Sequence, residues 1–381
     1  MKRNILPLFL LCVLPTVNAQ DFSQYKLLPD SAYAADADYR QGNKYQRDAI
    51  LFVDMLADTH PYYIKPERRD QLMTKRKLLL QKCAVCKSDT AFTSLLHGIL
   101  GKLRDKHTDL IDTLTFAEKR RQAAQPKKET PDTNANPLFS RHDAPFDYTM
   151  LHDESVCYMQ FNQCADARTV GDPRLPRFDT FLEEMFHAID SLHIQTLVVD
   201  VRYNSGGRSM LCDELLSYLH PLHKLKHFRP YMRFSRLLAS FNPRIAIARQ
   251  AWEAEGHADE LYPMPVGPLP ELDRRIYNGK VVFIQGPATY SSAGILLTMA
   301  RDNNIGVIVG SASTSTFSPS HYGEVLPYRL PNTGVIGSVS CKYFERPDTT
   351  RTDDDTLEPT MPIDLQDKDA LWQITTAFGK R

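Results

Sequence analysis

Three short, nearly continuous apolar runs constrain the fold of this chain more than any other feature. They are rich in β-branched residues, lie at 196–201, 280–284 and 305–309, and are separated by segments with helical patterns. A strand that is apolar on both faces is typical of a parallel sheet covered by helices, because a half-exposed strand alternates apolar and polar residues. The runs therefore predict an α/β core.

The N-terminal part of the chain is predicted to be helical. Residues 45–63 and 88–104 carry helical patterns, and in the second segment apolar residues recur every three or four positions. Ser88 or Asp89 can cap the start of that second helix. The helix should end within the stretch LRDKHTDL, which places His107 in the loop just beyond it.

Four regions are expected along the chain. Residues 1–19 are predicted to be a signal peptide, 20–110 an N-terminal helical region, 111–154 a polar loop region, and 155–381 the α/β core with an insertion near 228–257. The loop prediction depends on 118–145, which are charged, polar and punctuated by proline. The core is expected to begin with a strand at 155–161, followed by a helix that Asp179 caps.

The first nineteen residues have the pattern of a secretory signal. Lys2 and Arg3 precede an apolar run that is too short to span a membrane comfortably, and small residues ending at Ala19 form a cleavage site. The bulky residue before Cys12 argues against lipid attachment. We therefore expect export, a mature chain that begins at Gln20, and no membrane span after the signal is removed.

The charge balance excludes one class of function. The 381 residues include 46 basic and 46 acidic side chains, so the formal net charge is zero. No basic stripe is present, and binding to nucleic acid through phosphate contacts requires one. No nucleic-acid partner is expected, and no pattern indicates the oligomeric state.

Cysteine spacing permits disulfides but predicts no metal site. Cys83 and Cys86 form one CxxC pair, and no second pair of ligands completes a zinc cage, so a local disulfide or free thiols is the simpler interpretation. Cys157 and Cys164 flank a predicted hairpin that a disulfide could bridge. No metal ion and no cofactor are expected.

The octapeptide DVRYNSGG follows the first apolar run at 200–207. Its adjacent glycines, Gly206 and Gly207, let the backbone turn sharply and can leave N–H groups directed at a ligand. Taken alone, the motif is more often an ordinary strand-to-helix turn.

A second motif follows the second apolar run. The stretch QGPATYSSAGILLTMA begins a helix with Ser291 at or near its N-terminus, and Ser292 directly after it. A hydroxyl there lies beside unpaired backbone N–H groups at the positive end of the helix dipole, which favours a nucleophile and supplies oxyanion donors. A helix-capping serine is the alternative, and for a single serine it is the commoner case.

A third motif, RDKHT, carries His107 on a loop. Imidazole titrates near neutral pH, so a loop histidine can act as a general base. One histidine among twelve is weak evidence by itself. A nucleophile candidate, a glycine pair that can form an oxyanion site and a base candidate in one chain are stronger evidence together than any one of them alone.

The order and spacing of these motifs resemble the tail-specific (C-terminal processing) and tricorn-type serine peptidases of family S41. Relatives carry D-x-R-x-N-x-G-G, matched by DVRYNSGG, an early D-x-H-T element, matched by DKHT, and a serine element before a helix, similar to TYSSAGIL. The likeness extends over 107–358. It implies a crotonase-like α/β core of repeated ββα units, here preceded by an N-terminal helical subdomain.

The resemblance also implies residue roles. Ser291 is the expected nucleophile, with Ser292 as the next-best register. The oxyanion N–H groups are expected from Ser292 and from Gly206 or Gly207, and His107 is the expected base. The acid that supports the base stays open among three candidates: Asp353, Glu324 and Glu358.

Three departures from the family pattern bear on mechanism. Tail-specific relatives use a lysine base, but no lysine lies between Ser291 and Lys342, so the histidine arrangement of the tricorn branch fits better. Lys106 stands where that branch has a serine, and Gly294 where relatives usually have a glutamate. The segment after His107 is too short for a PDZ module, so recognition of substrate C-termini by such a module is not expected.

The leading hypothesis is an exported, periplasmic or secreted serine peptidase that cleaves peptide or protein substrates through an acyl-enzyme. The alternative is a catalytically impaired S41-like protein of the envelope with a ligand-binding or structural role. Acyl-CoA chemistry on a crotonase-like fold is a third hypothesis. The export signal opposes it, because that thioester cofactor is cytosolic.

Overall fold

The computed structural model describes residues 25–29, 33, 36–101, 103, 105–111, 143–151, 155–267, 269–312, 321, 323, 325–351, 357–364, 367 and 369–376. The chain divides into two units, each built from three separate segments. The first unit comprises Met1–Pro126, Tyr231–Met264 and Gly323–Tyr343, and the second comprises Lys127–Pro230, Pro265–Tyr322 and Phe344–Arg381. The predicted signal peptide and all but three residues of the predicted loop at 118–145 lie outside the described residues.

Strands and helices alternate along most of the chain. The strands are β1 (Lys26–Leu27), β2 (Asp109–Ile111), β3 (Phe146–Leu151), β4 (Val156–Phe161), β5 (Thr196–Asp200), β6 (Arg229–Met232), β7 (Tyr262–Pro263), β8 (Lys280–Gln285), β9 (Val307–Gly310), β10 (Val325–Arg329), β11 (Ile336–Ser340), β12 (Lys342–Glu345) and β13 (Met361–Pro362). The helices are α1 (Ala37–Gln41), α2 (Lys44–Thr59), α3 (Pro66–Ala84), α4 (Asp89–Leu100), α5 (Ala167–Val170), α6 (Phe178–Ser191), α7 (Met210–Leu219), α8 (Arg236–Phe241), α9 (Arg244–Ala254), α10 (Ser292–Asp302) and α11 (Ala370–Thr376).

A six-stranded sheet with the order β13-β9-β8-β5-β4-β3 forms the centre of the second unit. Only β3 runs antiparallel to its neighbour; β4, β5, β8, β9 and β13 are parallel. In the middle of the sheet Val198 lies beside Tyr158 on one side and Val282 on the other. The three apolar runs are thus adjacent strands of one sheet, and the predicted α/β fold is confirmed.

Both faces of this sheet are buried, as the continuous apolar runs predict. On one face, side chains such as Met159, Val199 and Phe283 join a core that includes residues of α6, α7 and α10. On the other face, Val198 and Ile284 belong to a separate cluster that includes residues of α11. Parallel strands end at the same edge of a sheet, so the turns after β5 and β8 are neighbours.

The first unit combines helices with a four-stranded sheet of order β1-β10-β11-β2. Strand β1 is parallel to β10, whereas β10, β11 and β2 pair in antiparallel fashion. Its core contains large buried side chains of α2, α4, β10 and β11: Phe52, Leu56, Phe92, Leu96, Tyr328 and Val339. The loop that carries His107 leads directly into β2 and is therefore fixed at the edge of this sheet.

Two helix starts test the capping predictions. Ser88 caps α4 as expected, because its Oγ accepts a hydrogen bond from the Ala91 amide (3.1 Å). The cap predicted for Asp179 is wrong: α6 begins at Phe178, which places Asp179 inside the first turn. The Phe178 amide instead donates to Asp166 Oδ2 (3.1 Å), so a carboxylate from the preceding loop satisfies it.

The cysteines of the described residues are not joined by disulfides. The bridge considered between Cys157 and Cys164 is absent, and Cys164 Sγ instead lies 3.8 Å from Cys212 Sγ. No helix within the described residues is both long enough and apolar enough to cross a membrane.

Candidate active site

Ser291 occupies a strained position at the turn between β8 and α10. Its backbone has φ 52° and ψ −123°, a conformation that residues with a side chain rarely adopt. Although it stands at the N-cap of α10, its side chain makes no capping hydrogen bond. The geometry therefore opposes the interpretation of Ser291 as an ordinary capping serine.

The side chain of Ser292 has a defined hydrogen-bond partner within the fold. Its side chain is buried, and its hydroxyl donates to the Gly207 carbonyl oxygen (2.7 Å). The hydroxyl thus ties the start of α10 to the glycine pair. Because Ser292 is the first helical residue, its backbone N–H belongs to the turn that has no intrahelical acceptor.

Gly206 packs directly against the serine turn. Its φ is +101°, and a Cβ placed on it would lie 2.6 Å from Ser291 Cβ and 3.1 Å from Ser292 N. Its N–H donates to Asn204 Oδ1 (2.8 Å). Of the two glycines considered as oxyanion donors, Gly206 therefore has its amide engaged, which leaves the Gly207 amide as the better candidate.

Gly207 is constrained from the opposite side. Its φ is +136°, and a Cβ there would collide with the Cys164 carbonyl oxygen. The Arg208 amide donates to that same carbonyl oxygen (2.7 Å), and the Cys164 amide donates to the Gly206 carbonyl oxygen (3.0 Å). Both glycines are required because the turn is sandwiched between the serine motif and the loop after β4.

Asn204 and Thr289 hold the two turns together. The buried Asn204 side chain donates through Nδ2 to the Phe161 carbonyl oxygen (2.9 Å) at the end of β4, and its own backbone carbonyl oxygen accepts from the Tyr290 amide (2.9 Å). The buried Thr289 hydroxyl donates to the Val201 carbonyl oxygen (2.8 Å). These bonds explain why the motif after β5 contains asparagine and the motif after β8 contains threonine.

The first charged residues of DVRYNSGG have a structural role. Asp200 is buried and pairs with Arg202, whose Nη2 lies 2.8 Å from Asp200 Oδ2. The Tyr158 hydroxyl also donates to Asp200 Oδ2. Burial, and then the charge of Asp200, raise the pKa of Tyr158 above its ordinary value of 10, so this hydroxyl stays a donor. The pair stabilises the end of β5 and leaves the chemistry to the turn beyond it.

His107 belongs to the first unit, in the loop between α4 and β2. Its side chain is 14% exposed, and its Nδ1 lies 3.3 Å from Asp105 Oδ1. The Asp105 carboxylate also accepts the His107 backbone N–H (2.9 Å). Ser338 of β11 donates to the His107 carbonyl oxygen (2.8 Å), which fixes the loop on the sheet.

Asp105 is the acidic residue that sequence reasoning missed. Its side chain is 2% exposed, and it accepts hydrogen bonds from several side chains in addition to its contacts with His107. The signal was present in the motif DKHT, where Asp105 stands two residues before the histidine. A carboxylate of the same loop thus lies beside Nδ1 of the histidine.

Of the three acids considered from the sequence, the structure describes only Glu358. Asp353 and Glu324 lie outside the described residues. Glu358 belongs to the second unit and is exposed, and its backbone carbonyl oxygen accepts a hydrogen bond from Arg301.

The comparisons with known proteins agree with this arrangement of motifs. The sequence profile of peptidase family S41 matches residues 156–363, which is more than half of the chain. These residues include the parallel strands of the six-stranded sheet, the glycine pair and the serine turn of the second unit. The fold and the matched sequence thus define a peptidase. The chain belongs to peptidase family S41.

Solved structures show the same fold at low sequence identity. A putative peptidase from Parabacteroides merdae is similar over 87% of this chain and 93% of that chain, with 17% identity and a TM-score of 0.57. Mature CPAF, in a complex with lactacystin, is similar over 88% of this chain and 96% of that chain, with 12% identity and a TM-score of 0.58. No curated protein sequence matches the chain.

Proposed function

We propose that this peptidase is a serine enzyme that cleaves peptide bonds through an acyl-enzyme at Ser291. The observation that carries the proposal is the backbone of Ser291, which is strained at a strand-to-helix turn and whose side chain makes no capping bond. Strained turns of this kind expose a nucleophilic hydroxyl above the end of a sheet. A capping serine has no need of such a conformation.

The oxyanion would be held by backbone amides at the same turn. The Ser292 N–H lies at the positive end of α10, and the Ser292 hydroxyl holds the Gly207 peptide beside it. Donors fixed before the reaction stabilise a developing negative charge without reorganisation. We assign Ser292 and Gly207 this role, with the Gly206 N–H holding the turn through Asn204.

His107 is the proposed general base, and Asp105 the acid that orients it. In this assignment Asp105 Oδ1 binds the Nδ1 proton of His107, so the Nε2 lone pair can accept the proton of Ser291. The carboxylate then stabilises the imidazolium that forms. Asp105 is proposed beside the three acids considered from the sequence, Asp353, Glu324 and Glu358, which stay the alternatives for this role.

Labelling by a fluorophosphonate probe tests the nucleophile. The probe should modify the wild-type protein at one site, and Ser291→Ala should abolish labelling. Ser292→Ala is the matched control, since it removes a neighbouring hydroxyl but keeps the backbone donor; its labelling should fall only modestly. His107→Ala should lower the rate by about a hundredfold or more.

The outcomes separate the main alternatives. Labelling that persists in Ser291→Ala and disappears in folded Ser292→Ala would assign the nucleophile to Ser292 instead of Ser291. A folded wild-type protein that no serine probe modifies would refute the acyl-enzyme mechanism and favour the ligand-binding alternative. Peptide mapping of the labelled protein identifies the modified serine directly.

Export is a separate part of the proposal. Residues 1–19 have the pattern of a signal peptide, and the expected site of peptidase action is the periplasm or the medium. N-terminal sequencing of the protein recovered outside the cytoplasm should begin at Gln20. A retained leader or a lipidated Cys12 would contradict this assignment.

A further inference from the structure

His60 is a fully buried histidine that the proposed mechanism has not used. It follows α2 directly, and its side chain is 0% exposed. The Arg233 guanidinium donates from Nη1 to the His60 carbonyl oxygen (3.0 Å) and from Nη2 to the Ala57 carbonyl oxygen (2.6 Å). These bonds bind the last carbonyl groups of the helix and hold the His60 backbone in place.

The hydrogen bonds of the His60 ring define its tautomer. The Tyr62 backbone N–H donates to His60 Nδ1 (3.1 Å). A backbone N–H can only donate, so Nδ1 carries a lone pair and the proton of the neutral ring is on Nε2. Nε2 lies 3.1 Å from Asp105 Oδ2 and therefore donates to it.

Both oxygens of Asp105 accept hydrogen bonds, Oδ1 from the His107 backbone N–H (2.9 Å) and Oδ2 from three side chains. Oδ2 accepts hydrogen bonds from His60, from the Thr108 hydroxyl (2.7 Å) and from the Ser340 hydroxyl (2.7 Å). Thr108 belongs to the same loop, whereas His60 and Ser340 belong to the end of α2 and to β11 and connect the carboxylate to fixed elements. Because Oδ2 faces these donors, Oδ1 is directed at His107.

We infer that His60 is a positioning residue that holds Asp105 in the orientation required to orient His107. The inference rests on the proposed function, in which His107 is the general base. His60 does not touch the reacting atoms. It fixes the plane of the carboxylate, so that Oδ1 lies against His107 Nδ1 (3.3 Å) and sets the tautomer of the catalytic ring.

The chemistry of the base depends on this orientation. With Asp105 Oδ1 at Nδ1, the neutral His107 ring keeps its proton on Nδ1, and Nε2 has the lone pair that a base requires. If the His60 donor is removed, Oδ2 loses one of the three side-chain donors named above, and the carboxylate is held less firmly in its plane. The contact of the His107 ring with Asp105 Oδ1 is then less well fixed, and the fraction with the productive tautomer falls.

Two substitutions at one position isolate the donor. His60→Phe keeps a ring of similar size but removes both ring nitrogens, and His60→Gln keeps an N–H that reaches toward Asp105. The matched control is His97→Phe, since His97 is a half-exposed histidine of the same unit that also lies near an aspartate (3.3 Å from Asp109). Thermal unfolding of each variant shows whether it is folded.

Kinetics provide the first readout. With peptide hydrolysis measured per active site, His60→Phe should lower kcat by about 10- to 100-fold with little change in KM, because the base is displaced while the binding surface is intact. His60→Gln should recover most of the loss, and His97→Phe should match the wild type. Equal kcat values for His60→Phe and the wild type would overturn the inference.

Nitrogen-15 NMR of the histidine rings provides a second readout that does not require activity. In the wild type, His60 should show a proton on Nε2 and His107 a proton on Nδ1. In His60→Phe the His107 signal should shift towards the Nε2–H tautomer, and in His60→Gln it should stay on Nδ1. A His107 tautomer that is indifferent to His60→Phe would refute the positioning role.

The two readouts also separate this inference from the proposed function. A folded wild type that neither reacts with the serine probe nor cleaves peptides contradicts the proposed function, while the NMR result still decides whether His60 sets the His107 tautomer. If His60→Phe fails to fold, the wild-type spectrum and His60→Gln remain decisive. A proton on His60 Nδ1 in the wild type would refute the tautomer from which the inference starts.

Discussion

Gly206→Ala places a methyl group where the structure leaves no room beside the proposed nucleophile. The new Cβ would lie 2.6 Å from Ser291 Cβ and 3.1 Å from Ser292 N, whereas ordinary contacts are 3.4–4 Å. Relief of the first contact requires a displacement of about 1 Å, and an error of that size in a catalytic group costs about a hundredfold in rate. That loss corresponds to about 2.7 kcal/mol of transition-state stabilisation.

The substitution also has a cost in stability, which a control can subtract. At φ +101° an alanine is strained by about 1–3 kcal/mol even where space is available. Gly256→Ala is the matched control, since Gly256 has φ +94° and a Cβ added there would have no atom within 4 Å. It should show a similar loss of stability without the collision.

The assay is the rate constant of fluorophosphonate labelling, measured below the melting temperature of both variants. Gly206→Ala should be labelled about a hundredfold more slowly than the wild type, and Gly256→Ala at close to the wild-type rate. If folded Gly206→Ala reacts within about threefold of Gly256→Ala, on the order of a kcal/mol or less, the close approach of Gly206 to Ser291 has no catalytic consequence and the reasoning fails.

Two further predictions concern stability. Asp48 is fully buried on α2 and accepts hydrogen bonds from the backbone and side chains of Asn332 and Thr333. Asp48→Asn should therefore lower the free energy of unfolding in urea by about 2–3 kcal/mol. An unchanged urea midpoint would show that these bonds contribute nothing to stability. Burial lowers the pKa of His227, but the hydrogen bond to Asp213 (3.2 Å) and the charge of Asp213 outweigh it and hold the pKa above 6.5. The resulting stabilisation is complete below pH 6.5 and is lost as the pH rises through the folded-state pKa of His227. The free energy of unfolding of the wild type in urea should therefore exceed that of His227→Gln by less above pH 6.5 than below it. A difference that is constant with pH would contradict the raised pKa.

The central strands could be predicted from the sequence because strands that are buried on both faces consist of continuous runs of apolar residues. The run at 196–201 corresponds to Thr196–Asp200, and the run at 280–284 to Lys280–Gln285. Both faces are covered, so every position is selected for apolar side chains. The predicted boundaries of these strands agree with the observed ones to within two residues.

The helix α3 could not be found in the same way. Among its nineteen residues only Leu72, Leu79 and Cys83 are buried, so apolar side chains do not mark a continuous stripe. The start of α6 was misjudged for a related reason. Its first amide is satisfied by Asp166 from another segment, and local capping patterns contain no information about such a bond.

The candidate site was predictable in its motifs but not in its contacts. The serine, the glycine pair and the histidine were each visible as sequence elements. The choice between Gly206 and Gly207 as a donor depends on a hydrogen bond to Asn204, and the position of Asp105 against His107 depends on a loop conformation. Neither can be read from spacing, because a residue two positions away can face either side of a loop.

The division of the first unit into three segments has a consequence for the order of events during synthesis. Lys26 pairs with Tyr328, and Leu110 pairs with Gly337, so the sheet of this unit joins the beginning of the chain to a segment made much later. Such non-local pairing is slow, and the apolar faces of the early helices stay exposed until the strands that cover them have been synthesised. The loop that carries His107 can form its hydrogen bonds with Ser338 and Ser340 only at that stage. A ribosome-bound chain that already contains Ser291 therefore lacks the anchors of the proposed base, which delays formation of the proposed site until β11 has been synthesised.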